Sequence, residues 1–457
     1  MQPLIQQHPD HDPDSDRERE DSHQREGRSG TRRSPEPLRI APQGQLRGIL
    51  PCRAALPAAA RRPTYTAQMV IGIDASRAFS ATATGIGVYS TEVIRGLAQD
   101  PPAPLRLYLN SARPPAGAPE LPPGSHWAPI PLPRGWTRLR LRWEVTRHPP
   151  DLLFIPAYRL PPGPVPPAVV TIHGVEHRMA PSAYPNGAGR AVDDFVRDTL
   201  RRARRVIAPS ETTRSDLCQL YGADPGRITV IPHGVSAALT AAAGPAPAAE
   251  LARLGVPSPF FLVVGAHHPR KNVQLALRAL AAAFPAPAGT PALVVANAGE
   301  EAADGISHLS AQLGTEGRLT LLPHLGPESL AALYCGALAT LVPSLYEGFG
   351  LPALEAMALG SPVLATGAGA VAEVAAGAAL LLPADDLQGW ARALGELAAR
   401  PELRRHLSGL GRERARRYTW ERSVAAHRAL LLEELSAGRA GPASPSPRPA
   451  PAPPPPP

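Results

Sequence analysis

Lysine is almost absent from this chain: of 47 basic residues, only Lys271 is lysine. Cysteine is scarce too, with Cys52, Cys218 and Cys335 set far apart. That number and spacing exclude a disulfide framework and a cysteine-based zinc site, and suit a reducing, cytoplasmic setting. No apolar run approaches the roughly 18 residues that cross a bilayer, so no transmembrane span is expected. Residues 1–30 are too polar and acidic for a secretory leader. What is present is a 457-residue chain with 44% hydrophobic content, enough for two or three domains with real cores.

A formal charge of +8 ordinarily raises the question of anionic partners, nucleic acid among them. Here arginine, alanine and proline are abundant throughout, as biased codon usage produces, so the charge alone implies no nucleic-acid partner. Against that background the one retained lysine marks position 271.

The two ends differ from the middle. Residues 1–68 begin with the low-complexity run HPDHDPDSDRERED and lack a periodic apolar segment, so a disordered tail or an erroneous start before Met69 is expected. Residues 437–457 are proline-rich and should form an extended tail. Between them, short apolar runs at 70–73, 106–109, 152–155, 169–172 and 206–208 alternate with helical patterns. A stretch rich in Ala, Pro and Gly at 241–258 reads as a linker. The alternation then restarts with 260–264 and 292–296. Continuous apolar runs separated by helices predict parallel strands buried on both faces. Two such arrays give two Rossmann-like doubly wound α/β domains, 69–240 and 259–417, with ligands expected in the cleft at the carboxyl ends of the strands.

Four segments carry polar chemistry. Tyr346-Glu347-Gly348-Phe349-Gly350-Leu351-Pro352 follows an apolar run and opens a helix that includes Glu355. Glycines there expose backbone N–H groups, and a helix N-terminus attracts anions or hydroxyl oxygens. Glu347 and Glu355 can accept hydroxyls of a sugar or ribose; equally, they read as a solvated loop residue and a helix-terminal charge. Arg270 and Lys271 lie at a strand-to-helix loop, where a fork and a point charge can clamp a diphosphate or simply face solvent. His267 and His268 beside them have no third partner at metal spacing, so no metal is expected. Gly85 and Gly87 form a Gly-x-Gly without the third glycine of a dinucleotide fingerprint, fitting a phosphate approach or a tight turn. His173 stands at a strand's carboxyl end, where active-site groups gather.

Taken in order, IDASR…TGIGVY, TIHG, VIAPSETTRSDL, ITVIPHGV, VVGAHHPRKN, PSLYEGFGLPALEAMALGSPV and the closing YTWE resemble the retaining, nucleotide-sugar-dependent glycosyltransferases of family 4, which have the GT-B fold. The TGIG–PRKN–EGFGLP combination is similar to bacterial mannosyl- and related hexosyltransferases of polysaccharide assembly. The resemblance implies a nucleotide-diphosphate sugar as donor, such as GDP-mannose, and a glycan or lipid-linked saccharide as acceptor. It implies no metal or other cofactor. Glu347 would lie by the donor sugar and its phosphate, the backbone of Gly348, Phe349, Gly350 and Leu351 would hold sugar hydroxyls and phosphate, and Glu355 would accept the ribose hydroxyls. Arg270 and Lys271 would neutralise the leaving diphosphate. Gly85 and Gly87 would let the first domain close over the phosphates, His173 would line the acceptor side, and a helix at 418–436 would return to the first domain. Three places depart from the family pattern: Ala266, Gly174 and the pair Pro323-His324.

A catalytically silent sugar-nucleotide binder of a polysaccharide-assembly complex is the alternative, opposed by the intact set Glu347, Glu355, Arg270 and Lys271. A Rossmann-type oxidoreductase or epimerase lacks its third glycine and a Tyr-x-x-x-Lys pair. The arginine-rich segments 138–142 and 201–205 suggest peripheral contact with an anionic membrane.

Overall fold

A computed structural model of the chain describes residues 69–439 apart from 81–83, 133, 186, 245–246, 267 and 286–288. The tail expected at 1–68, most of the one at 437–457, and His267 lie outside the described residues.

Uninterrupted apolar runs become strands buried on both faces, as in Phe260–Val264, where all five residues are buried. The first sheet comprises β1 (Ile71–Asp74), β2 (Leu105–Leu109), β3 (His126–Pro129), β4 (Leu152–Ile155), β5 (Ala168–Thr171), β6 (Arg205–Ala208) and β7 (Ile228–Val230), in the order β3-β2-β1-β4-β5-β6-β7. The second comprises β8 (Phe260–Val264), β9 (Ala292–Ala296), β10 (Leu319–Leu321), β11 (Thr340–Val342), β12 (Val363–Thr366) and β13 (Leu380–Leu382), in the order β10-β9-β8-β11-β12-β13. The pairings are parallel. In both sheets the order reverses beside the first strand, where β1 meets β4 and β8 meets β11. Loops leaving neighbouring strands at such a reversal diverge to opposite faces and leave a crevice between them. Lys271 follows β8 and Glu347 follows β11, so the topology sets both at one crevice.

The last helix, Trp420–Arg439, lies along the helix Gly85–Gln99 of the first half. Gly96 permits this approach, because a Cβ there would stand 2.5 Å from Val424. A buried hydrogen-bond chain fastens the pair. The Tyr89 hydroxyl lies 2.6 Å from His427 Nε2 and 2.7 Å from Thr171 Oγ1. His427 Nδ1 lies 2.7 Å from the carbonyl of Ser423, which can only accept. Burial depresses the imidazole to about 4, so it is neutral with its proton on Nδ1. Nε2 then accepts from Tyr89, and Thr171 donates to Tyr89.

The structure corrects several expectations. Gly85 and Gly87 are not a loop: they form the first turn of the helix Gly85–Gln99, with Thr84 as N-cap accepting from Gly87 N. The cap supplies the partner that lets glycine be helical there. The expected linker 241–258 contains the helix Pro247–Arg253, which packs on the helix Pro327–Gly336 through Leu251 against Gly336 and through Glu250 and Arg253 on Ser329. Its proline occupies the first helical position, where no N–H is needed, so the Pro-Ala composition hid a helix. The closing helix runs to Arg439 rather than 436. Strand β3 and the helices Glu300–Gln312, Leu387–Ala399 and Pro401–Ala415 were not anticipated; β3 is an edge strand of exposed and half-buried residues and lacks an apolar run.

Tyr89→Phe should destabilise the protein by about 1–3 kcal/mol, because it leaves His427 Nε2 and the Thr171 hydroxyl buried without a partner. Urea unfolding of the two proteins measures this; equal midpoints and slopes would refute the chain.

Candidate active site in the interdomain cleft

Arg270 and Lys271 occupy a single 3-10 turn, Pro269–Lys271, between β8 and the helix Val273–Ala283. Glu347 stands in the loop between β11 and the helix Leu351–Leu359. All three meet. Lys271 Nζ donates to Glu347 Oε1 at 2.8 Å, and Arg270 Nη1 lies 3.1 Å from Oε2. Arg270 also donates to the Tyr346 carbonyl at 2.6 Å, and Ser344 Oγ donates to Glu347 Oε1 at 2.6 Å. Glu347 is 6% exposed and Lys271 9%. Burial would raise the Glu347 carboxyl, but the charges of Lys271 and Arg270 outweigh it and hold the group down at about 2. It is a permanent anion at neutral pH. Burial likewise opposes the charge on Arg270, and Glu347 followed by Glu176 keep it cationic.

Glu355 lies one turn into the helix Leu351–Leu359, so it is not a helix-terminal charge. Its Oε2 accepts from the Tyr334 hydroxyl at 2.8 Å. Burial raises its carboxyl to about 7 against the opposing pull of Tyr334 and of the Lys271 charge. Two carboxylates eight residues apart therefore differ in state: one is locked ionised by two cations, the other is poised near neutrality.

Across the cleft, Gly348 touches the first half directly. A Cβ at Gly348 would lie 1.9 Å from the His173 carbonyl oxygen, so no other residue fits. His173 Nε2 lies 2.8 Å from the Pro156 carbonyl, which fixes the proton on Nε2 and leaves Nδ1 as a lone-pair acceptor. Burial lowers this imidazole to about 4, so it is neutral across the physiological range. Gly85, at the first turn of its helix, faces Leu351, whose Cδ1 would lie 3.6 Å from a Cβ there. The N-termini of the helices Gly85–Gln99 and Leu351–Leu359 thus meet across the cleft, and both present positive dipole ends. Gly350 takes the left-handed φ of 93° that starts the second helix, and Phe349 is buried against His233 and Tyr418.

Family models called Glycosyltransferase Family 4 and Glycosyl transferases group 1 match residues 83–239 and 252–414, one on each sheet. The chain belongs to glycosyltransferase family 4. Among its relatives is a D-inositol 3-phosphate glycosyltransferase of Saccharomonospora viridis, 34% identical over 253 residues, 52% of this chain and 58% of that protein. The chain spans about three-fifths of the length of the curated relatives it matches. Among solved structures, the sucrose-phosphate synthase of Thermosynechococcus elongatus superposes with a TM-score of 0.66 at 22% identity, covering 81% of this chain and all of that one. Anabaena HepE, in complex with UDP and glucose, superposes at 0.61 with 17% identity, again over 81% of this chain and all of that one. The two facing parallel-sheet domains are the GT-B fold.

This family-4 chain also uses residues that sequence reading passed over. The helix Glu211–Tyr221 points its N-terminus at the second half. Glu373 accepts there from Glu211 N at 3.0 Å, Thr212 N at 2.9 Å and Thr212 Oγ1 at 2.8 Å. Ser210 and Thr213 donate their hydroxyls to the Gly348 carbonyl at 2.8 and 3.0 Å, while Ser210 Oγ accepts from Thr213 N. The SETT run is a readable N-cap; that its cap faces another domain is not readable. Gly369 and Ala370 brace Glu347 from behind: Ala370 N donates to its carbonyl at 2.8 Å, and a Cβ at Gly369 would lie 2.2 Å from that oxygen. On the first-domain side, the Tyr184 ring lies 4.7 Å from that of His268, tilted by 45°, and burial followed by the Glu176 charge pushes its phenol up to about 12.

The two carboxylates predict opposite pH responses. Glu347, held at about 2 against an ordinary 4.5, contributes stability that is present above pH 4.5 and lost as pH falls through about 2. Glu347→Gln strands two buried cations and should cost about 3 kcal/mol at pH 7, with the deficit shrinking toward pH 3. Glu355 is raised to about 7, so its contribution is full below pH 4.5 and lost as pH rises through about 7. Glu355→Gln should therefore melt closer to, or above, wild type at pH 8 than at pH 5. Melting curves at these pH values check both; parallel curves would contradict the assigned states.

Proposed function

We propose that this protein transfers a hexose, retaining its anomeric configuration, from a nucleotide-diphosphate sugar to a hydroxyl of a glycan or lipid-linked saccharide in the cytoplasm. The observation that carries the reading is the buried Arg270–Glu347–Lys271 cluster, set at the reversal of the second sheet and at the N-terminus of the helix Leu351–Leu359. Breaking the bond between the sugar and a diphosphate leaves negative charge on the departing oxygens. A fixed fork, a fixed point charge and a helix N-terminus can stabilise that charge without reorganising, and so lower the barrier. Arg270 and Lys271 would supply this in place of a divalent cation. Glu347 keeps the cations aligned, and the backbone around Gly348 and Gly350 offers N–H groups to phosphate or sugar oxygens.

Glu355 would take the ribose hydroxyls. Near neutral pH its carboxyl accepts hydrogen bonds in either protonation state, which suits a diol. His173, whose Nδ1 keeps its lone pair and whose backbone lies against Gly348, would receive a hydroxyl from donor or acceptor sugar. Membership in family 4 supports transfer chemistry, and mannose is the sugar suggested by the TGIG–PRKN–EGFGLP combination. The name of the Saccharomonospora relative adds D-inositol 3-phosphate to the acceptors worth testing.

Lys271→Ala should weaken nucleotide-sugar binding about ten- to a hundredfold, the worth of a charged hydrogen bond. A thermal-shift panel of nucleotide sugars identifies the donor by stabilisation, and slow donor hydrolysis, unaffected by a chelator, reports turnover without a known acceptor. A donor that binds but is never hydrolysed would favour the silent binder. Equal affinity in wild type and Lys271→Ala would remove the cluster from the donor site.

A further inference from the structure

We propose that the outer face of the helix formed by Thr137–Leu141 and Arg142–Arg147, with the arginine-lined cavity beside it, docks on an anionic lipid surface. The inner face of this helix is core: Trp136, Leu141 and Val145 pack with Tyr108 and Ile155. Its outer face is apolar where it need not be. Leu139 is 66% and Trp143 51% exposed, one helical turn apart, and they are the two most exposed large hydrophobic residues among those described. No helix of the described residues is long and apolar enough to cross a membrane, so any lipid contact there is peripheral.

The exposed charges on the helix segment itself are basic. Arg134, Arg138, Arg142 and Arg147 are exposed beside the pair. Glu144, the acidic residue of the segment, is turned inward and engaged by Arg140 and His148, each at 3.2 Å. Arg140 also lies over the Trp143 ring, 4.8 Å from its centre. Arginine is common all over this chain, so the basic residues alone would carry little; their convergence on an exposed tryptophan–leucine pair is what sets this face apart. An apolar stripe rimmed by arginine is the pattern of helices that lie in the headgroup region.

A cavity of about 530 Å³ adjoins the helix, lined by Arg138, Arg159, Arg201 and Arg202 together with Asp194 and Asp198. Asp198 is occupied by Arg201 at 2.7 Å and Arg202 at 2.5 Å. Arg138 belongs to both the helix and the cavity, and Arg142 rests on Gly163 of the cavity wall. The cavity has room for a headgroup phosphate while Leu139 and Trp143 enter the acyl boundary.

Two apolar side chains are too few for the core of a stable protein interface, which buries about 800 Å² per partner. A second copy meeting this face by two-fold symmetry would oppose arginine to arginine. A bilayer needs only shallow insertion plus phosphate contacts. Docking here also has a geometric consequence that rests on the transferase reading. The loop after β4 runs from Pro156, whose carbonyl holds His173, to the cavity wall at Leu160 and Gly163. A docked surface would therefore adjoin the first-domain side of the cleft, where a lipid-linked acceptor must enter.

The test is flotation of the full chain with vesicles of phosphatidylcholine alone or mixed with phosphatidylglycerol. Wild type should float with the phosphatidylglycerol vesicles only, and less so at high salt. Leu139→Ser/Trp143→Ser should lower vesicle affinity more than tenfold, and Arg138→Ala or Arg142→Ala about fivefold each. Thermal melts check folding; if the apolar double variant does not fold, Arg138→Glu/Arg142→Glu decides by the same criterion. Wild type that fails to float, or apolar variants that float equally, would overturn the proposal. So would a dimer seen by light scattering that Leu139→Ser/Trp143→Ser abolishes, which would assign the face to a second copy. Donor hydrolysis in vesicle-free solution should be unchanged in these variants, so failure of docking and failure of the transferase reading are read separately.

Discussion

One carboxylate shared by two cations organises this molecule. Glu347, buried and ionised, takes Lys271 on one oxygen and Arg270 near the other. Burying three charges is costly, and two of the groups offset part of that cost through a further partner: Ser344 for the carboxylate, the Tyr346 carbonyl for the arginine. The cluster ties the loop after β8 to the loop after β11. Those strands are neighbours in a parallel sheet, so the tie costs little rearrangement. With the loops fixed, the helix Leu351–Leu359 can aim its N-terminus into the cleft.

The same loop carries the contact between domains. Gly348 lies against the His173 carbonyl, and its own carbonyl receives Ser210 and Thr213 from the first half. Glu373 caps the same helix from the second half. Both bonding partners of the Gly348 carbonyl are buried hydroxyls, of Ser210 and Thr213. The interdomain seam is thus polar and local at this point, while the long helix Trp420–Arg439 supplies an apolar, continuous tie to the helix Gly85–Gln99.

Much of this was legible in order along the chain. Apolar runs bounded by glycine and proline gave the buried strands, because parallel strands covered on both faces need no polar alternation. The retained lysine and the EGFG loop pointed to positions that do meet. Other features were masked. The helix Pro247–Arg253 was hidden by a Pro-Ala composition that looks like a linker, and β3 by its edge position. Gly85 and Gly87 looked like a loop because glycine is a poor helix former, yet the Thr84 cap makes them a first turn.

The sequence by itself determined the alternation of elements, the placing of polar residues at strand ends, and the family, since these rest on local periodicity and contiguous motifs. The tertiary structure alone decided which charges share a partner, that Glu355 sits near neutrality while Glu347 does not, and that Glu373 caps a helix that begins 162 positions before it. Those properties come from burial and from distances between residues remote in the chain, and neither quantity is written in the order of residues.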